Sequence, residues 1–547
     1  MFKDIFKRQI NSITIAAAFV ALSSLASRLL GILRDRILAG QFGAGTTLDI
    51  YYAAFRIPDL IYNLIVLGAL SAGFIPIFTS LIKDFKCAKT ADCDPRLKNK
   101  EALDLASNVL NILLLGLAIL SAIGIIFAPA LTRLITPGFN QEGQALTAAL
   151  TRIMFLSPFF LGISGILGSV LQSFKRFLIY SLAPVFYNLG IIFGALWLVP
   201  HCGIYGLAWG VILGAFLHMA IQIPTAYHLG FRFKFKINWR DSYTWKMGKM
   251  MVPRTLSLAI SQINLVVVTI LASNLSSGSL SVFNLANNLQ SFPVGIFGVS
   301  FAIAAFPSLA EAAFDKEKLA GNFSQTIRQI LFFVIPATFL IIALRAQITR
   351  VVLGTGNFDW QDTILTMNTL GLFAISLFAQ ATIPLLIRVF YARHNSATPF
   401  YLSLISAAVN IALSLILAPR LGVAGLALAF SVANILNFFL LWIYLYFHVG
   451  ALDSGNIFIA VLKFTISAIA AGGAAQIMKV VVWPFIDMTK FSGVFIQLLA
   501  AGGAGLLVYL FFCYLFRSEE LFGFAASLKS RLSINKVKID DQLSSNN

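Results

Sequence analysis

Arg28 and Arg34 stand six residues apart in an apolar run that begins near residue 12 and also holds Ser23, Ser24, Ser27 and Asp35. In a helix, Ser24, Arg28 and Asp35 fall close to one face, at spacings of four and seven, and Ser27 and Arg34 share an adjacent stripe. A guanidinium is a planar fork that donates two parallel hydrogen bonds to a phosphate or carboxylate. Ionisable groups inside a membrane span cost about 2.5–3.5 kcal/mol each and usually face a cavity. The pattern therefore suits anion binding within a membrane. The competing reading has Arg34, Asp35 and Arg36 neutralising one another at the membrane edge.

Further candidates lie along the chain. Asp49, Arg56 and Asp59 open the next apolar run, around Pro58. Arg56 and Asp59, at i and i+3, either neutralise each other or leave Arg56 to a cavity. Arg254 follows Pro253 and is either a cavity cation or a snorkelling residue. The segment NLANNLQSFPVG concentrates Asn284, Asn287, Asn288 and Gln290, as interhelical glue or as a polar lining. Pro293 should break the helix there. No HExxH, Walker or paired Cys/His spacing occurs, so no catalytic residue, metal site or cofactor is expected. A coupling ion of unknown identity stays open. His218, on an apolar run, reads as packed or hydrogen-bonded, and Cys87 and Cys93 as free thiols of one short loop.

The elements that must carry these residues follow from composition. The 547-residue chain is 59% hydrophobic and 11% charged, with 50 Phe and a mean hydropathy of +0.86. A soluble domain carries about 25% charged residues, so the natural solvent of this chain is lipid. Runs long enough to cross a bilayer lie near 12–34, 50–82, 103–134, 144–173, 177–199, 204–228, 247–273, 280–309, 325–353, 362–392, 398–418, 423–448, 457–481 and 493–516. The fold class is an all-α polytopic membrane protein with about 14 transmembrane helices.

The formal net charge of +18 is not spread evenly. Lys and Arg collect in alternate loops, such as KDFKCAKTADCDPRLKNK and FRFKFKINWR, while FGAGTTLD, TPGFNQEG, SNLSSGS and TGNFDWQD carry none. The positive-inside rule then puts both termini in the cytoplasm. A nucleic-acid partner would need a basic patch on a soluble domain, and no such domain is visible. The first run is read as a retained span, because it carries Arg28 and Arg34 and lacks a convincing cleavage site.

The chain also repeats. LVPHCGIYGLAWG (198–210) aligns without gaps on LAPRLGVAGLALA (417–429), and 70–81 aligns on 301–312, in each case six spans later. An even offset gives a parallel repeat about the membrane normal, as found in transporters. The expected organisation is a six-helix bundle at 1–230, a second at 231–450, an extra helix pair at 451–518 and a cytoplasmic tail at 519–547. The tail could start as a basic amphipathic helix on the inner surface and end in disorder.

These residues resemble the MurJ (MviN) family of lipid II flippases. The family pattern runs S-R-x-x-G-x-x-R-D, F-G-A-G, a downstream Asp, F-[KR]-x-P and G-A-x-x-x-x-F-x-P. Arg28, Gly31, Arg34, Asp35, Phe42 to Gly45, Asp49 and Arg56 to Pro58 match it in order, and TPGF, SQIN, SFPVGIFGVS and FYARHNSATP match later segments. Two positions depart: Tyr62 and Asn63 stand in a stretch where the family commonly has Arg, and Asn288 where it commonly has another.

The resemblance implies two bundles in the V shape of multidrug/oligosaccharidyl-lipid/polysaccharide exporters. It implies lipid II, or a similar polyprenyl-pyrophosphate glycan, as the substrate moved from inner to outer leaflet by alternating access. Arg residues of the first span are implied to hold the pyrophosphate. The candidate substrate-binding set is Arg28, Arg34, Arg56, Arg254, Asn287 and Asn288, with Asp35 and Asp49 as gating or ion-pair residues. Membrane lipids and cell-wall synthesis proteins are the expected partners, and a bacterial inner membrane the expected location. The alternatives are a flippase for another polyprenyl-linked glycan, a drug/cation antiporter of the same superfamily, a polytopic glycosyltransferase or ligase, and a non-transporting cell-wall scaffold.

Overall fold

The computed structural model describes residues 13–67, 73–84, 100–450 and 452–526. Cys87, Cys93 and the tail beyond residue 526 lie outside the described residues. The first half contains α1 (Ile13–Phe42), α2 (Thr46–Tyr62), α3 (Ile75–Asp84), α4 (Lys100–Ile135), α5 (Gln141–Met154), α6 (Ser157–Ser173), α7 (Phe177–Phe193) and α8 (Tyr205–Ala220). There follow α9 (Ser242–Ser273), α10 (Ser279–Pro293), α11 (Ser300–Glu311), α12 (Lys316–Leu353), α13 (Trp360–Ala374) and α14 (Leu377–Ala392). The last four are α15 (Ala397–Leu421), α16 (Val423–Val449), α17 (Ser454–Val482) and α18 (Phe491–Leu515). Among the described residues there is no β-strand.

Every expected span is thus helical in its described part. Among the described residues, ten helical stretches are long and apolar enough to cross a membrane, and α13 with α14, bent by 45°, makes an eleventh where the pair counts as one span. In lipid the backbone must satisfy its own polar groups, which is why apolar runs of this length resolve as helices.

Proline and repetition together explain the breaks. After Pro293 the chain widens into a π-helical stretch, Val294–Val299, before α11. A ring in place of an N–H removes one i→i−4 bond, and a wider turn absorbs the mismatch. The second span does the same: Asn63–Leu67 is π-helical, downstream of Pro58. The offset from Asn63 to Val294 is the one that aligns 70–81 with 301–312.

The chain divides into two compact units. The first comprises Met1–Leu285, Val352–Asp362 and Ile411–Leu426; the second comprises Ala286–Val351, Thr363–Asn410 and Ala427–Asn547. In the first unit, α7 and α8 approach through glycine. A Cβ at Gly190 would stand 2.3 Å from Gly214 Cα, and one at Gly194 would stand 2.4 Å from Gly210 Cα. Small residues four apart permit this close packing, which replaces the hydrophobic drive that lipid cannot supply. In the second unit, α17 and α18 meet through Ala471, Ala475, Ala501 and Gly505, while Val480, Leu507 and Phe511 stay exposed. Such an apolar outer surface belongs against acyl chains.

Candidate functional site: a cation-lined cavity

Within the first unit lies a cavity of about 650 Å³. Helix α1 gives it Ser24, Ser27 and Arg28; α6 gives Ser164, Ser169 and Gln172; α7 gives Tyr180 and Ser181. Tyr62 and His218 complete the polar lining. The spacing of Ser24, Ser27 and Arg28 on one helical face is what brings them to one wall. Arg28 makes no hydrogen bond or ion pair among the described residues. Its donors are therefore available to a ligand.

Two other walls are pre-set by side-chain contacts. Ser164 Oγ lies 2.6 Å from His218 Nδ1. Gln222 donates to Ser164 Oγ and, at 3.0 Å, to the His218 carbonyl. This network fixes the imidazole at the cavity edge. His218 is thus hydrogen-bonded, as its place on an apolar run suggested.

The structure does not bring Arg34 to the cavity lining. Its guanidinium donates twice to Asp35 Oδ1, at 3.0 and 2.8 Å, and once to Asn188 Oδ1, at 3.2 Å. Asn188 in turn donates to the carbonyls of Ser27, at 3.2 Å, and Pro184, at 3.1 Å. Asn188 faces α1, where a Cβ at Gly31 would stand 4.0 Å from its Oδ1. Arg34, steadied by its neighbour Asp35, clamps α1 to α7 through Asn188.

Arg56 is also committed elsewhere. It is buried, and it donates to Thr269 Oγ1 at 2.9 Å and to Asn284 Oδ1 at 3.4 Å. It ties α2 to α9 and α10. Asp49 caps the N-terminus of α10: it accepts from Gly278 N at 2.7 Å, and from Ser281 N and Oγ at 2.7 and 2.5 Å. A carboxylate at a helix start satisfies donors that have no intrahelical partner. Neither residue lines the cavity.

Asp49 is part of a wider latch among loops of the first unit. Asp362 Oδ2 accepts from Ala44 N at 2.8 Å. Asn357 donates to the Gly40 carbonyl at 2.8 Å through its backbone, and to the Gln41 carbonyl at 2.7 Å through its side chain. Gly278 has φ +89, and a Cβ there would lie 1.7 Å from the Ala44 carbonyl oxygen. Only glycine fits that conformation and that contact.

The amides divide differently. Asn287 Oδ1 accepts from Gln290 at 2.9 Å, and Gln290 and Gln380 exchange bonds of 3.1 and 2.8 Å. This network sits in the second unit and joins α10 to α14, the interhelical role of amides in lipid. Asn288 is exposed. Arg254 lies on α9, but its side chain lies outside the described residues.

The second unit holds an apolar groove of about 710 Å³. Leu331, Ile335 and Phe339 of α12 face Phe438 and Trp442 of α16 and Phe458 and Val461 of α17 across it. Among the described residues no cluster of His, Cys, Asp and Glu could hold a metal ion.

A sequence profile of the family described as "Lipid II flippase MurJ" matches residues 38–497. The chain belongs to the MurJ family. The lipid II flippase MurJ of Burkholderia cenocepacia is 29% identical over 430 residues, spanning 77% of this chain and 81% of that protein. The probable lipid II flippase MurJ of Vibrio cholerae serotype O1 is 30% identical over 436 residues, with the same two shares. A solved MurJ structure in an inward closed conformation matches with a TM-score of 0.73 at 25% identity, covering 91% of this chain and 98% of that one. An inward-facing multidrug resistance MATE transporter of the MOP superfamily shares the fold, with a TM-score of 0.64 at 16% identity over 79% of this chain. The family is one of transporters, not enzymes.

Sequence reasoning found Arg28 and its serines. It did not single out Ser164, Gln172 and Tyr180 for the cavity, nor Asn188 and Asp362 for the clamp and latch. The one signal available was a set of hydroxyl and amide side chains at helical spacing within the fourth span, Ser164, Ser169 and Gln172.

Proposed function

We propose that this chain moves lipid II from the inner to the outer leaflet of a bacterial inner membrane, with both termini in the cytoplasm. The observation that carries the reading is Arg28: an uncommitted guanidinium on the wall of a polar cavity, in a chain of the MurJ family. A pyrophosphate offers that fork two acceptor oxygens, and a charge-assisted bond of this kind contributes about 1.5–3 kcal/mol. Hydroxyls and amides on α6 and α7 suit the hydroxyls of the attached sugars. Tyr62, at a place where the family commonly has Arg, adds a phenol rather than a charge to the same cavity. Arg254 supplies further positive potential.

The apolar groove of the second unit takes the polyprenyl chain, since its walls are aliphatic and aromatic. Arg34–Asn188 and Asp49–Ser281 keep the helices of the first unit in place. Rocking of the halves 1–230 and 231–450 alternates access. The membrane potential or an ion gradient drives the cycle, and cell-wall synthesis proteins receive the product. Native mass spectrometry of the purified protein with lipid II tests the reading. Binding that Arg28→Ala weakens about tenfold or more supports it; undiminished binding by that variant removes Arg28 from the site.

A further inference from the structure

The chain between α8 and α9 is an exposed strap in which cations and aromatics alternate: Arg232, Phe233, Lys234, Phe235, Lys236, then Trp239 and Arg240. It is held from below. Ser107 donates to the Lys234 carbonyl at 3.1 Å, Asn111 to the carbonyls of Lys234 and Lys236 at 2.6 and 3.0 Å, and Asn108 to the Asn238 carbonyl at 3.0 Å. Asn238 N returns a bond to Asn108 Oδ1 at 2.7 Å. A backbone pinned this firmly to α4 presents its side chains in fixed places. Phe235 is 90% exposed, Trp239 58% and Trp245 64%. Rings left this bare at the end of membrane helices suit the headgroup region, where an apolar body and a polar edge are both solvated.

The charges decide what covers the rings. Three carboxylates lie beside the strap: Asp104 pairs with Lys234, Asp241 accepts from Thr244 N at 2.8 Å and Thr244 Oγ1 at 2.5 Å, and Glu101 lines the same pocket without an ion pair among the described residues. Arg232 lies over the Tyr227 ring at 3.4 Å. Lys236, Arg240, Lys246 and Lys249 are exposed and form no ion pair among the described residues. Four cations against the one unengaged carboxylate, Glu101, leave an excess of positive charge flanking exposed indoles, which attracts anionic lipid whose phosphates meet the charges while the rings enter the interface.

We infer that the strap and the first two turns of α9, Arg232–Lys249, are a binding site for anionic phospholipid headgroups, formed by Lys236, Arg240, Lys246 and Lys249 with Trp239 and Trp245 as interfacial anchors. The inference needs a bilayer beside the strap and does not depend on lipid II transport. It is tested with the full chain in nanodiscs of brominated phosphatidylglycerol or brominated phosphatidylcholine. Tryptophan quenching is compared with that of the Trp239→Phe/Trp245→Phe variant, so that the difference reports on the strap. The expected result is a strap signal quenched more by the anionic lipid. That preference should fall about tenfold in affinity in Lys236→Gln/Arg240→Gln, and should also fall in the unaltered protein at high salt. Equal quenching by both lipids overturns the inference. Absence of strap quenching, as for a strap in water or under a protein partner, also overturns it.

Discussion

Asp49 accepts two hydrogen bonds from Ser281, one from the backbone N–H at 2.7 Å and one from the hydroxyl at 2.5 Å. A third arrives from Gly278 N at 2.7 Å. One carboxylate on α2 thus holds the start of α10 and the loop before it. Asp49→Asn turns one acceptor oxygen into a donor facing donors. The expected cost is about 2–4 kcal/mol, because buried N–H groups lose a charged partner. Thermal unfolding in detergent reads it, and faster labelling of a cysteine placed at Ser277 would report the loosened loop.

Gly278→Ala should be worse than its size suggests. The residue has φ +89, and its Cβ would overlap the Ala44 carbonyl oxygen. Strain of this kind costs on the order of 1–3 kcal/mol before the clash is counted. The variant should melt well below the parent, and the same substitution at Gly116, where a Cβ meets open space, should not lower the melting temperature.

Arg28 and Arg56 should separate function from stability. Arg28 makes no bond among the described residues, so Arg28→Ala should leave the melting temperature unchanged and weaken lipid II binding about tenfold or more. Arg56→Ala leaves Thr269 and Asn284 without their donor and empties a buried site. It should cost about 2–4 kcal/mol of stability. Parallel melting and binding measurements on the two variants check the split.

The groove gives a prediction about the tail rather than the headgroup. Val461→Glu places a charge among Leu331, Phe438 and Phe458. Burying it unpaired is prohibitive, so the groove must hydrate. Binding of the full polyprenyl lipid should fall severalfold, while a water-soluble headgroup analogue should bind as before. Titrations of both ligands against this one variant separate the two halves of the substrate.

Much of the fold was legible because lipid leaves a chain few choices. Apolar runs gave helices at each expected span, and Pro293 marked where the eighth would widen into a π turn. Among site residues, Ser24, Ser27 and Arg28 were legible because one helix carries all three. The pairing of Arg34 with Asp35 was legible as the competing reading, but the bond of Arg34 to Asn188 was not. Asn188 lies 154 residues away, and only the packing of α7 against α1 brings it there. Asp49 was read as a partner for cations, but three N–H and O–H donors from the α10 terminus surround it instead. The bond from Ala44 to Asp362 spans 318 residues, beyond any local pattern.

The most direct test is growth of a bacterial strain depleted of its own lipid II flippase and supplied with this chain. The unaltered protein and Arg28→Lys, which keeps the charge, should restore growth to differing degrees, and Arg28→Ala, present in the membrane at equal amount, should not. Failure of the unaltered, well-expressed protein would contradict lipid II transport. Full growth with Arg28→Ala would contradict the role of the cavity.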